Sequence, residues 1–296
     1  MNLDDVDKMR SAGGIAQKVV AYAKEMIKPG LSLFDIACKI DDKIYELGGK
    51  PAFPVNLSVN EVAAHATPAF GDKSIAEGLL KVDIGVHVDG FVADTAFSID
   101  LDGDEENERL IEAAENALGN ALSTFGMDVK LKDVGFAIQR AINSKGFVPI
   151  QNLTGHEIKK YDLHAGLNIP NYDNGSEHEL DEGLYAVEPF ATNGHGRVRD
   201  GKLSGIYQLR DEGNVRDSFA REVLTFIKEE YNSLPFCSRW IYKKFGSRGL
   251  LALRQIEQAG ILHQYAQLVE VSGGKVAQAE HTILISERDK IVTTRD

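Results

Sequence analysis

The alternation of apolar and polar positions divides the chain into helical and extended stretches in an order that nearly repeats. Val6, Ile15, Val19, Val20, Ala23, Met26 and Ile27 fall at helical spacing over 4–28, and Lys28-Pro29-Gly30 stops that helix. Ser32 followed by Asp35 resembles a capping box, so a second helix is expected to about Leu47, where Gly48-Gly49 ends it. A loop or short strand with Pro51, Phe53 and Pro54 follows. Two more helices are predicted at about 105–125 and 132–144.

Residues 80–100 read as a β-hairpin. Both arms are rich in β-branched and aromatic residues, and Asp89-Gly90 is a two-residue turn signal. With that turn, Asp83 opposes Ala96 and Asp94 opposes Gly85. Asp83, Gly85 and His87 then share a face with Val92, Asp94 and Ala96. The other face carries Val82, Ile84, Val86, Val88, Phe91, Ala93, Thr95 and Phe97 and is expected to be core. Asp83 and Asp94 sit at diagonal positions, roughly 7–8 Å apart by backbone geometry. No Lys or Arg occupies their face to offset two close carboxylates, so a metal ion or pair is the natural counter-charge. A solvated acidic face is the alternative at this point.

Three short matches suggest that the chain repeats itself. The segment 30–36 echoes 128–134, Asn56-Leu57-Ser58 echoes Asn152-Leu153-Thr154, and 77–83 echoes 182–188, in the same order at offsets of about one hundred residues. Asp83 thereby corresponds to Glu188. The counterpart of Asp94 is then Glu280, on the strand Val276–Ile285. The long gap between Glu188 and Glu280 holds apolar residues at helical spacing: Phe219, Val223, Phe226 and Ile227, then Trp240, Ile241 and Tyr242, then Leu250, Leu251, Leu253 and Ile256. These divide the chain into a principal domain, 1–194 with 265–296, and a helical insertion at 195–264. One continuous α+β domain with a helical end is the plainer reading.

Composition narrows the function classes. The 296 residues suffice for a sizeable core. A net charge of −12 without a basic block disfavours nonspecific nucleic-acid binding and anionic membranes. Cys38 and Cys237 stand in separate helical patterns with no metal-ligand spacing, which suits the cytoplasm. The acidic N-terminus is unlike a signal peptide, and no apolar run is long enough to span a membrane.

Histidine joins the carboxylates in Gly155-His156 and in Leu163-His164, with His65 in the matching part of the first half. Four carboxylates and one imidazole carry more negative charge than one divalent ion offsets. Two ions about 3.5–4 Å apart would match, and such a pair yields hydroxide at neutral pH by lowering the pKa of a bridging water.

Asp83, Asp94, His156, Glu188 and Glu280, in the contexts Gly155-His156, Val187-Glu188-Pro189-Phe190 and Ala279-Glu280-His281-Thr282, resemble the five metal ligands of methionine aminopeptidases, members of the pita-bread metallopeptidases. The resemblance covers essentially the whole chain. A helical insertion between the last two ligands marks the type 2 class, and the lack of a polybasic N-terminal extension points to its archaeal form. What this implies is an α+β pita-bread fold, two pseudo-symmetric halves around a curved antiparallel sheet, with an inserted helical subdomain.

The implied activity is metal-dependent removal of the N-terminal, initiator methionine from nascent proteins and peptides by a metal-bridged hydroxide, with a small second residue preferred. Asp83 would chelate one ion, His156 and Glu188 the other, and Asp94 and Glu280 would bridge. Glu188 would also shuttle the proton to the leaving amine. His65 and His164 would orient the scissile peptide, while Phe53, Leu163 and Tyr265 would line the methionine pocket, with Ile206 at its edge where some relatives carry histidine. The cofactors would be two divalent ions, Co, Mn, Fe or Zn. The implied state is a cytoplasmic monomer, with the ribosome as a candidate partner. Strand alternation turns His281 away from the metals, His87 has no assigned role, and His178, His195 and His263 read as surface residues. Two alternatives stand beside this one: a prolidase or aminopeptidase P on the same scaffold, and a non-catalytic binding protein of the same fold.

Overall fold

The computed structural model describes residues 3–286 and 289–295. Met1, Asn2, Glu287, Arg288 and Asp296, all within the expected principal domain, lie outside the described residues. Two helices lead each half. α1 (Leu3–Met26) and α2 (Leu33–Glu46) precede the hairpin, and the Ser32 hydroxyl accepts from the Asp35 amide at 3.3 Å to cap α2. α3 (Glu105–Thr124) and α4 (Leu131–Ser144) precede the second set of strands.

The hairpin has the expected register. Leu79–Val88 pairs with Phe91–Asp100, with Asp83 opposite Ala96 and Gly85 opposite Asp94. Asp89 and Gly90 both have positive φ, as the favoured two-residue hairpin turn requires. Val82, Ile84, Val86, Ala93 and Phe97 pack with Ile15, Val19, Ile36 and Ile40 of α1 and α2 in one core. A second core sets Leu110, Leu118, Val134 and Ile138 of α3 and α4 against Tyr185, Val187, Ala277 and Ile283. Each helix pair thus covers the outer face of its own half and leaves the inner faces toward one another.

The halves join edge to edge. His281–Ile285 pairs antiparallel with Gly183–Val187, which pairs with Thr154–Ile158. At the seam, Ala96 and Glu280 form an isolated antiparallel bridge, with Glu280 N–H donating to Ala96 O at 3.0 Å. Thr95 Oγ1 donates to Glu280 O at 2.8 Å. The strand of Asp94 and the strand of Glu280 are therefore neighbours although far apart in sequence.

The segment 195–264 is more than helical. α5 (Ser218–Tyr231) and α6 (Ser238–Gln258) are present, and α6 is broken at Gly246, whose φ is 63°. They cap a long ribbon in which Val198–Leu209 pairs with Leu262–Glu270, with register shifts between Asp200 and Leu203 and between Leu203 and Tyr207. The shifts break strict alternation, and the exposed run Arg199–Leu203 hides the strand period. The ribbon also pairs with Val62–Ala64, just before His65.

Candidate active site

The inner faces enclose a cavity of about 220 Å³. Asp83, Asp94, His156, Glu188 and Glu280 all line it, together with His65, His164, Phe53, Leu163, Tyr265 and Ile206. Every residue singled out from the sequence for the site thus meets in one place.

Backbone placement explains the convergence. Asp83 and Asp94 project from the hairpin arms on one face. Gly85, opposite Asp94, leaves room for the Phe53 ring: a Cβ on Gly85 would lie 2.2 Å from Phe53 Cε1. Gly155 plays a similar part beside His156, since a Cβ there would lie 2.4 Å from Ala186 O on the neighbouring strand. His156 pairs with Ala186, two residues before Glu188. Glu280 arrives across the seam.

The polar atoms are close but incompletely satisfied. His156 Nε2 lies 3.6 Å from both Asp94 Oδ2 and Glu188 Oε1. Ligand atoms of Asp94, His156 and Glu280 lie within 4.8 Å of one another. Asp83 Oδ1 and Asp94 Oδ1 are buried and have no hydrogen-bond partner among the described residues. None of the lining residues is Lys or Arg. Buried carboxylate oxygens without donors, facing an imidazole across a gap of this size, fit a divalent cation.

The electrostatics point the same way. Burial pushes the Asp83 carboxyl up to about 7. Burial and mutual repulsion hold Asp94, Glu188 and Glu280 well above the usual carboxylate range. Burial holds His156 and His164 below the usual imidazole value and takes His65 to about 4, with neighbouring His164 adding to the fall in His65 and His156. Such carboxylates ionise together only when a cation offsets them.

The remaining histidines separate cleanly. His87 Nδ1 accepts from the Gly90 amide at 3.1 Å, so it braces the hairpin turn. His281 faces Thr294 Oγ1 at 2.9 Å, away from the cavity. His178, His195 and His263 are exposed, although the His263 ring packs edge-on to Tyr265 at 4.8 Å. Tyr265 also packs against His65 at 5.3 Å, and its hydroxyl donates to Gln208 Oε1.

Gln278 and Asn56 are among the cavity neighbours not singled out from the sequence. Gln278 Nε2 donates to Glu280 Oε2 at 3.3 Å and approaches Glu188 Oε2 at 3.5 Å. Its place two residues before Glu280 was a readable signal, because alternation puts both on one face. Asn56 faces Asp83 from a strand of only four residues. That pairing carries no local signature.

The sequence matches the profile of metallopeptidase family M24 over residues 7–287. The chain belongs to that family. That family is one of hydrolases, and the buried cluster of Asp94, His156 and Glu280 is compatible with divalent-metal binding. Methionine aminopeptidase from Pyrococcus horikoshii is 47% identical over 98% of this chain and 99% of its own length. The solved structure of methionine aminopeptidase from Thermotoga maritima superposes with a TM-score of 0.72 at 24% identity, over 100% of this chain and 98% of that one. Prolidase from Pyrococcus furiosus superposes at 0.63 with 16% identity, over 100% of this chain but 65% of its own. Both structures share the pita-bread fold expected from the ligand pattern. The likeness to prolidase extends to the fold alone.

Proposed function

We propose that this M24 chain removes the N-terminal methionine from peptides and nascent proteins by metal-dependent hydrolysis. The observation that carries the reading is near-complete coverage at 47% identity by a methionine aminopeptidase, joined to an intact set of five candidate ligands around one cavity. Asp83, Asp94, His156, Glu188 and Glu280 would hold two divalent ions of Co, Mn, Fe or Zn. When bound, the ions supply a nucleophilic water at neutral pH and polarise the scissile carbonyl.

The chain's own residues do the rest. Phe53, Leu163 and Tyr265 form an apolar wall for an unbranched thioether side chain, with Ile206 closing its edge. His65, half-buried, and His164, at the exposed edge of the cavity, both sit below the usual imidazole value, and each in its neutral form can present one N–H to the scissile peptide without bringing a charge. Glu188, on the cavity wall beside His156, would take a proton and hand it to the leaving amine. A small second residue is preferred in this reading. The chain acts as a cytoplasmic monomer on nascent polypeptides, with the ribosome as the candidate partner. Among the described residues, no helix is long and apolar enough to cross a membrane.

The test uses chelator-treated protein with Mn, Co, Fe or Zn added back in turn, a Met-Gly-Met-Met peptide, and a Xaa-Pro dipeptide in parallel. Methionine release that needs metal and is lost in Asp94→Asn is expected. Cleavage of the Xaa-Pro substrate alone would overturn the proposal.

A further inference from the structure

Asn56 lies directly opposite Asp83 on the adjoining strand, so the two side chains leave the sheet on one face. It is 5% exposed and lines the cavity beside Phe53 and His65. Its side-chain amide group donates to Pro54 O at 3.0 Å, which fixes which end of the amide points where. The other end, Oδ1, is buried and has no partner among the described residues.

A buried amide oxygen is unfavourable until a donor reaches it. The lining offers no Lys or Arg, and the neighbouring Asp83 carboxylate is an acceptor itself when ionised. No described side chain donates to the Asn56 oxygen, so a donor that arrives with the cavity's ligand would satisfy it. A methionine thioether has no donor, and the scissile carbonyl is an acceptor. The α-amino group at the start of a peptide carries N–H donors and is the feature that separates an N-terminus from any internal residue.

We propose that Asn56 Oδ1 accepts a hydrogen bond from the substrate's free α-amino group, beside Asp83, and so makes Asn56 a selectivity residue for unblocked N-termini. The inference deepens the aminopeptidase reading and rests on it. A neutral acceptor suits this position because a further carboxylate would add to the four already crowded there. The Pro54 bond holds the oxygen aimed before the substrate arrives, which spares ordering cost on binding.

The experiment uses full-length, metal-loaded protein and two competitive inhibitors of methionine release. One is L-methioninol. The other is 4-(methylthio)butan-1-ol, the same molecule without the amine. In Asn56→Ala, the inhibition constant of methioninol should rise about tenfold, the order expected for one lost buried hydrogen bond, while that of the amine-free analogue stays within about twofold. Asn56→Asp keeps an oxygen acceptor but loses the donor to Pro54, and should retain preference for the amine. It serves as the decisive variant if Asn56→Ala fails to fold. Equal weakening of both inhibitors in Asn56→Ala would show a packing role and overturn the proposal. No weakening of either would show that the oxygen meets only water, and would overturn it too. Loss of amine preference in Asn56→Asp would also overturn it. Wild-type protein that releases no methionine would defeat the aminopeptidase reading and this inference with it. Normal release without the inhibitor pattern would defeat this inference alone.

Discussion

Thr282 and Asp94 exchange two hydrogen bonds across the seam between the halves. The Asp94 amide donates to Thr282 Oγ1 at 2.8 Å, and the Thr282 hydroxyl donates to Asp94 O at 2.7 Å. Both residues are buried. One side chain from the second half thus satisfies the backbone of a central carboxylate in the first. Thr282→Val keeps the shape and removes both bonds. It should cost about 2–3 kcal/mol in urea unfolding and weaken divalent-ion binding about tenfold by titration calorimetry. Unchanged ion affinity would mean that the seam does not position Asp94.

Metal-free protein should lose stability as pH rises above about 7.5, where unfolded imidazole is neutral. Asp83 titrates at about 7 in the fold but at about 3.9 in an unfolded chain. The folded state then holds protons that the unfolded state has released, and that contribution vanishes as pH rises through the folded value. Asp94, Glu188 and Glu280 act in the same direction. His65, His87 and His281, each at about 4 in the fold, and His156 and His164, also lowered, act oppositely. Their contribution is present above the unfolded value of about 6.5 and is lost as pH falls. The two effects oppose each other until unfolded imidazole has released its proton, about one unit above that value, and the carboxylates act alone beyond it. Urea midpoints of chelator-treated protein at pH 7.5 and 9 check this. A midpoint that climbs with pH would contradict the arrangement, and added metal should remove the decline.

Gly85→Ala should damage the cavity wall without touching any candidate ligand. The added methyl group would meet the Phe53 ring at 2.2 Å, and Phe53 is itself buried with little space to retreat. Overpacking of this kind costs about 1–3 kcal/mol. The expected signature is a rise in KM for methionine peptides of about tenfold with ion binding retained. Weak ion binding with normal KM would point to movement of Asp94 instead.

Arg239 ties α6 to the first half from inside. It donates to Asp41 Oδ2 of α2 at 2.9 Å, to Thr67 Oγ1 at 3.0 Å and to Pro68 O at 2.8 Å, close behind His65. The Trp240 indole donates to the same Asp41 oxygen at 2.7 Å. Arg239→Met strands a buried carboxylate and should cost about 3–5 kcal/mol in chemical denaturation. Adding Asp41→Leu should restore at least half of that loss. A double variant no more stable than the single one would show that the contacts to Thr67 and Pro68 carry the effect.

What could be read from the sequence was what local rules determine. The Asp89-Gly90 turn sets the hairpin register, and strict alternation then puts Asp83 and Asp94 on one face, as observed. Helical spacing found α1 through α4 within a few residues. The internal echoes carried the reasoning from Asp83 to Glu188 and from Asp94 to Glu280. Tertiary structure alone decided how the halves meet. The Ala96–Glu280 bridge and the Thr282–Asp94 exchange link strands far apart in the chain, and no local pattern encodes such a pairing. The ribbon of the 195–264 segment escaped notice because its register shifts break the two-residue period. Asn56 escaped notice because its meaning comes from the residue opposite it and from an oxygen with no partner. A side chain's face follows from short-range stereochemistry, whereas what that face meets is set by packing over the whole chain.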